Sequence, residues 1–257
     1  MKTIDEVLLK MDEIVEDCKK RSSRLGYFAV LYRMVTRRIK KGIDRKEFED
    51  NARMELLDIL FAKRFLDAYD LYNNKQIPTQ CWHVAFKAAE ESRLLVMHHL
   101  LLGINAHINL DLGIAAVETM QGKPLAGIEN DFNKINAILA EMVEGVKTNI
   151  SGISLIFGLA LLLANKKDEI LVSFSINIAR QGAWDFASRY AIDTDRESAL
   201  KQRDVAIAKI AQRLGYPGWR MRRIIDIVRL GEFQSVAEVI ELLDVLTAKT
   251  SKLQQKG

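Results

Sequence analysis

Apolar residues recur along this chain with a helical period almost from end to end, and no stretch alternates in the manner of a half-buried strand. Thr3 with Glu6 reads as a capping box opening a first helix that runs to about residue 20. A second helix is predicted over 24–41, with Gly42 as its stop. Asp44 with Glu47 would cap a third, running to about Tyr72, and Asn73, Asn74 and Pro78 then punctuate the chain. Thr79 opens a long helical stretch reaching about Met120, with Gly103 as a candidate bend. After the break at Gly122, Pro124 and Gly127, helices are predicted from residue 130 or 131 to 148, over 152–164 and over 166–191. Asp193 with Glu197 would cap the next, ending near Leu214, and helices over about 220–230 and 235–252 finish the chain.

Within this pattern the residues from Leu94 to Val117 stand apart. At 100° per residue their apolar side chains point in every direction, which places the helix in the middle of a bundle. The predicted fold class is therefore all-α: a multi-helix bundle around a buried central helix over about 94–117, with the 170–190 helix packed near it. One domain over 1–257 is the expected organisation, with a core bundle over 1–192 and carboxy-terminal helices over 193–257 as the alternative subdivision.

The buried stretch is not simply greasy. "HHLLLGINAHINLDLGIAAVE", residues 98–118, carries three of the chain's four histidines, together with two asparagines and an aspartate. An unpaired buried amide or hydroxyl costs roughly 1–3 kcal/mol, so these groups need partners. On a continuous helix His98, Asn105 and Asn109 share an arc of about 40° with Glu91. His107, Asp111 and Glu118 share another, with Arg93 beside them, and His99 lies between. A second break near Asn109 or Asp111, either of which can cap a helix, would rotate one arc against the other.

His107 and Asp111 are four residues apart, so their side chains can meet. A carboxylate there can fix the imidazole tautomer, raise its basicity or share a metal with it. His99 lies about 12 Å along the axis from His107, too far to ligate the same ion, so further ligands must come from other helices. "ENDFNKIN", 129–136, places Asp131 at a helix start, either as a cap or as a second carboxylate reaching the histidines. "ILVSFSINIARQGAWDFASRY", 170–190, puts Ser173 and Asn177 on one face and makes Arg180 and Trp184 an i,i+4 pair able to stack. Arg180 could neutralise Asp111 or Asp131, or grip an anionic ligand.

Composition narrows the function classes. Apolar residues make up 49% and charged residues 28%, with three prolines and fourteen glycines, as expected of a globular chain of long helices. A net charge of +4 permits weak attraction to anions but does not require nucleic acid. The basic clusters at 37–41 and 220–223 lack interleaved aromatics, so no nucleic-acid partner is expected. Two cysteines, Cys18 and Cys81, argue against a disulfide framework and for a reducing cytoplasm. The acidic, amphipathic start lacks the continuous apolar core expected of a signal peptide. The most apolar run, 150–164, is shorter than a membrane span; it reads as a buried helix or one dipping into a membrane surface. Zinc-finger cysteine pairs, His-Glu-x-x-His, glycine-rich phosphate loops, Gly-x-Ser-x-Gly elbows and paired Glu-x-x-His motifs are all missing from the sequence.

Three segments together, "LLGINAHINLDL" (101–112), "NDFNKIN" (130–136) and "ARQGAW" (179–184), resemble an uncharacterised family of all-helical bacterial proteins. That family carries a Gly-x-Asn-Ala-His-Ile-x-x-Asp-Leu core, then an Asp followed by an Asn, then an Arg before a Trp. The resemblance covers about residues 80–190 and marks Asn105, His107, Asp111, Asp131, Arg180 and Trp184. It implies a common polar centre and transfers no activity.

Three functions follow from this reading. In the first, a pocket lined by His107, Asp111, Asn105, Asp131 and Arg180 serves a metal-assisted or acid–base enzyme on a small substrate. His107 is base or ligand, Asp111 its orienter or co-ligand, and Arg180 the anion holder. Asn109 and Trp184 join Asn105 in substrate binding, and His107, Asp111 and Asp131 are the ligands of any divalent metal. In the second, the protein binds an apolar ligand, haem or lipid, with Met97, His98 or His99 as axial ligands. In the third, the polar residues only fix helix register.

Overall fold

The computed structural model describes residues 1–135, 137–138, 176–216, 218–219, 222–223, 225–226 and 234–253. The predicted helix at 152–164, most of those at 130–148 and 220–230, the first part of that at 166–191, and Ser173 lie outside these. Among the described residues there are nine α-helices and no strand, as the periodicity predicts. They are α1 (Ile4–Lys20), α2 (Leu25–Asp44), α3 (Asn51–Asn73), α4 (Gln80–Ala89), α5 (Val96–Ala106), α6 (Leu112–Met120), α7 (Ile176–Ile192), α8 (Arg196–Gly215) and α9 (Val236–Leu253). A single π-helical segment, His107–Asp111, joins α5 to α6, and a short 3-10 turn, Leu125–Ile128, follows α6.

The helix starts show how far local chemistry decides. Thr3 accepts from the Glu6 N–H at 3.2 Å, and Glu6 accepts in return from the Lys2 N–H at 2.7 Å. At α9 the box closes fully, Ser235 accepting from the Glu238 N–H and Glu238 from the Ser235 N–H. Elsewhere the caps come from a distance. The helix α2 runs through Gly42 to Asp44, because that glycine leaves room for the Phe48 ring and does not end the helix. Asp50, not Asp44, caps α3, accepting from the Arg53 N–H at 3.0 Å. Thr79 makes no side-chain cap; Asp204 of α8, buried, takes the Gln80 and Cys81 N–H groups at 2.6 and 2.9 Å. Asp195, rather than Asp193, caps α8 by accepting from Ser198.

The predicted central helix exists and is buried, over Val96–Met120. Its break with α4 falls at the polar, exposed residues 90–93, not at Gly103. Gln121 in the left-handed region (φ 48°) and Gly122 (φ 83°) end it. Among the described residues this is the one stretch long and apolar enough to cross a membrane, and its most apolar window is wholly buried. Helices α2, α4 and α8 surround its first half; α3 and α7 pack on the π segment and α6. On the far side of α2, α1 and α9 complete the layer, with Arg33 of α2 holding Asp12 of α1 at 2.7 Å and Asp244 of α9 at 2.6 Å.

Gly103 has a packing role. A Cβ there would overlap the ring of Phe28, which lies against the α5 backbone. Gly113 plays the same part for α7, where a Cβ would stand 2.8 Å from the Ala183 carbonyl oxygen. Overpacking of this kind costs about 1–3 kcal/mol. Gly103→Ala is therefore expected to lower the urea-unfolding free energy by about that amount; a variant as stable as the parent would show that Phe28 is not fixed there.

Candidate functional site: a buried His–Asp pair

The π segment sets the geometry of the polar centre. Its wide turn is closed by the Leu112 N–H on the His107 carbonyl, and such turns leave neighbouring carbonyls without their α-helical donors. Arg203 of α8 supplies one, donating Nε to the Asn109 carbonyl at 3.0 Å and its terminal nitrogen to the Gly182 carbonyl at 3.0 Å. Its guanidinium lies over Phe186, 5.3 Å from the ring centroid, and burial holds its pKa below the usual arginine value.

His107 and Asp111 meet across this turn, as their spacing predicts, with Nδ1 and Oδ2 3.1 Å apart. Both are inside the molecule, 2% and 1% exposed. Asp111 also accepts from Trp82 Nε1 at 2.8 Å and from Arg64 Nε at 3.3 Å. Three donors therefore converge on one carboxylate, which offsets its desolvation and makes it acceptor-only. The His107 proton accordingly sits on Nδ1, a tautomer assigned from this bonding.

Rings enclose the imidazole. Phe61 stacks on it at 3.6 Å with planes 6° apart, Tyr32 meets it edge-on at 4.2 Å, and Phe28, Phe65 and Trp82 stand at 5.7, 6.3 and 5.9 Å. Desolvation lowers the His107 pKa more than Asp111 raises it, so the ring is neutral near pH 7. Its Nε2 is buried and has no hydrogen-bond partner in the protein. The same holds for Asp58 Oδ2, on the neighbouring face of α3. Burial raises the Asp58 carboxyl to about 8.

The other predicted residues are dispersed. Asn109 donates to Asn105 Oδ1 at 3.1 Å, and Asn105 donates to the Ile207 carbonyl at 3.2 Å, so the two tie the central helix to α8 and do not bond the His–Asp pair. Asp131 accepts from the Glu49 and Asp50 N–H groups at 2.8 and 3.2 Å and from Arg53 at 2.9 Å. That anchors it at the start of α3, whereas Asp111 binds Arg64, about 16 Å further along the same helix. The cations of Asp111 and Asp131 are thus Arg64 and Arg53, in place of the expected Arg180. Arg180 is buried on α7, its pKa lowered to about 10 by desolvation, and the half-buried Trp184 packs on Phe132 at 4.8 Å. Among the described residues no three His, Cys, Asp or Glu side chains form a group able to hold a metal.

His98 and His99 are also buried, and Met97 half-buried. Neither nitrogen of His98 has a protein partner, and Tyr27 meets the His99 ring at 5.7 Å. Desolvation lowers their pKa values to about 4 and about 3.

Fold and site together define a class: an α-helical bundle threaded by an apolar helix that carries a buried imidazole–carboxylate pair at a π turn. The chain belongs to a family of unknown function, DUF5995, which matches residues 4–217, from the start of α1 to just beyond the end of α8. No curated protein and no solved structure matches it.

Proposed function

We propose that His107 and Asp111 form an acid–base centre acting on a small molecule inside the bundle. One observation carries the reading: Nδ1 is committed to a carboxylate while Nε2, equally buried, has no protein partner. A neutral imidazole so held presents a lone pair at Nε2, and the carboxylate stabilises the imidazolium formed when that nitrogen takes a proton. Trp82 and Arg64 fix the carboxylate and thereby the ring. The acid–base form is favoured over the metal-assisted one because Asp131, the third proposed ligand, is engaged at the start of α3.

A second reading, a purely structural polar knot, draws on the saturation of Asp111 and the five rings around His107. Proton exchange separates the two. In D2O the protein is expected to catalyse exchange of carbon-bound hydrogen in at least one member of a panel of small ketones, aldehydes and carboxylic acids, followed by NMR. His107→Gln should reduce that exchange by about 10²–10⁴-fold, the usual contribution of a positioned base. A wild-type protein inert toward the whole panel, or a His107→Gln protein just as active, would leave the structural reading standing.

A further inference from the structure

A cleft of about 230 Å³ opens where three parts of the chain meet: the connector before α5, the end of α8 and the segment after it. Val96, where α5 begins, lies about 16 Å along the helix axis from His107, so the cleft is separate from the His–Asp pair. A cavity of roughly 150 Å³ holds benzene and drug-sized ligands occupy about 300–1,000 Å³, so this space suits a molecule a little larger than a benzene ring. The walls have two characters. Leu94, half-buried, and Ile225, 4% exposed, give an apolar side next to Tyr216. The rest is ionic and balanced, with Arg93 and Arg222 against Glu91 and Asp226. Two cations and two anions leave no net charge to favour a simple anion or a simple cation. The backbone adds a direction. On one side is the N-terminal end of α5, where Leu95 provides no side-chain cap, and on the other is the C-terminal end of α8 at Tyr216. The first is a partial positive pole and the second a partial negative one.

We propose that this cleft binds a free α-amino acid with an apolar side chain, its carboxylate at Arg93 by the start of α5, its ammonium at Asp226 by the end of α8, and its side chain on Leu94 and Ile225. Among the described residues Arg93 and Asp226 make no ion pair, so each has its charge to give to a ligand. Arg222 has another partner, and Glu91 shares the field of Lys87. A guanidinium offers a carboxylate two parallel N–H donors, and a carboxylate accepts from an ammonium. A zwitterion meets both poles at once, whereas an acid or an amine of the same skeleton meets one and leaves the other unanswered. Arg222, Ile225 and Asp226 lie beyond residue 217, where the family match ends, so chain outside the family region completes the site. The proposal does not depend on the acid–base reading of His107.

Isothermal titration calorimetry of the full chain near pH 7, where both ligand groups are charged, makes the test. Leucine and phenylalanine are each compared with the matching acid that lacks the amino group, 4-methylpentanoate or 3-phenylpropanoate. Each is also compared with the matching amine that lacks the carboxyl group, 3-methylbutylamine or 2-phenylethylamine. At least one of the two amino acids is expected to give saturable binding, weakened about tenfold or more in both of its analogues. Arg93→Gln and Asp226→Asn should each weaken that binding by a similar factor. Both residues are exposed, so neither substitution should disturb the fold, and Arg93→Lys, which keeps the charge, should recover part of the affinity. No saturable heat with either amino acid, analogues that bind as tightly as their parent, or undiminished binding in either variant overturns the proposal.

Discussion

Asp111→Ala is expected to cost this protein about 3–5 kcal/mol of unfolding free energy, the largest loss of any single substitution in the polar centre. The carboxylate accepts from His107, Trp82 and Arg64 at once. Arg64 is a quarter exposed and can turn to water, but Trp82 Nε1 and His107 Nδ1 would be left buried and unpaired. Each such orphan costs about 1–3 kcal/mol, and the cavity left by the side chain adds to the loss. Asp111→Asn keeps the volume and one acceptor oxygen, so it should lose less, about 1–3 kcal/mol. Equilibrium urea unfolding measures both. A loss below about 1 kcal/mol for the alanine variant would mean that the three donors do not depend on this carboxylate.

Stability should also peak near pH 6.5 and fall on both sides, from opposing buried groups. His98, His99 and His107 are all held below the ordinary histidine pKa by desolvation. Below pH 6.5 the unfolded chain binds protons that the folded protein refuses, so stability drops as pH falls toward the folded values. Asp58 acts the other way. Its folded carboxyl titrates at about 8, so above pH 4 the unfolded chain releases a proton that the folded one keeps. Its contribution therefore declines as pH rises from 4 to 8. Between pH 4.5 and 6.5 His98 and His99, with folded values of about 4 and about 3, outnumber the one carboxyl, and stability rises with pH by about 1.4 kcal/mol per unit for each net proton. From 6.5 to 8 only Asp58 acts, for a loss of up to about 2 kcal/mol. Unfolding free energies measured across this range should show the peak, Asp58→Asn should flatten the upper limb, and His98→Gln with His99→Gln should flatten the lower one. A monotonic profile would mean that these groups are better solvated than their burial indicates.

What the sequence disclosed and what it hid divide along one physical line. Helical period is local, so the element types and the burial of the central helix could be read from residue spacing. The His107–Asp111 contact was legible for the same reason: four residues on one helix bring two side chains together, and the π turn does not separate them. Partners from other helices were not legible. Arg64 and Arg180 are both arginines on helices, and nothing near either shows which one faces Asp111; that depends on α3 packing on the π turn. Long-range caps were hidden too. Asp204 closes α4 across 124 residues and Asp131 holds the turn before α3 across 82, whereas a capping rule sees only the helix's own neighbours. The aromatic enclosure from Phe28, Tyr32, Phe61, Phe65 and Trp82 reads in sequence as ordinary core, and only packing shows that the rings close around an imidazole.

The central claim is that His107 is a neutral, buried base with Nδ1–H given to Asp111 and a lone pair at Nε2. Long-range nitrogen–carbon-proton NMR of the protein with labelled histidine tests it directly, with His107→Gln used to assign the signal. The account predicts the Nδ1–H tautomer at neutral pH, still mostly unprotonated at pH 6.5 where an ordinary histidine is half protonated, and converted to an even mixture or to Nε2–H in Asp111→Asn. An Nε2–H ring in the wild type, or a His107 that titrates freely near pH 6.5, would contradict it.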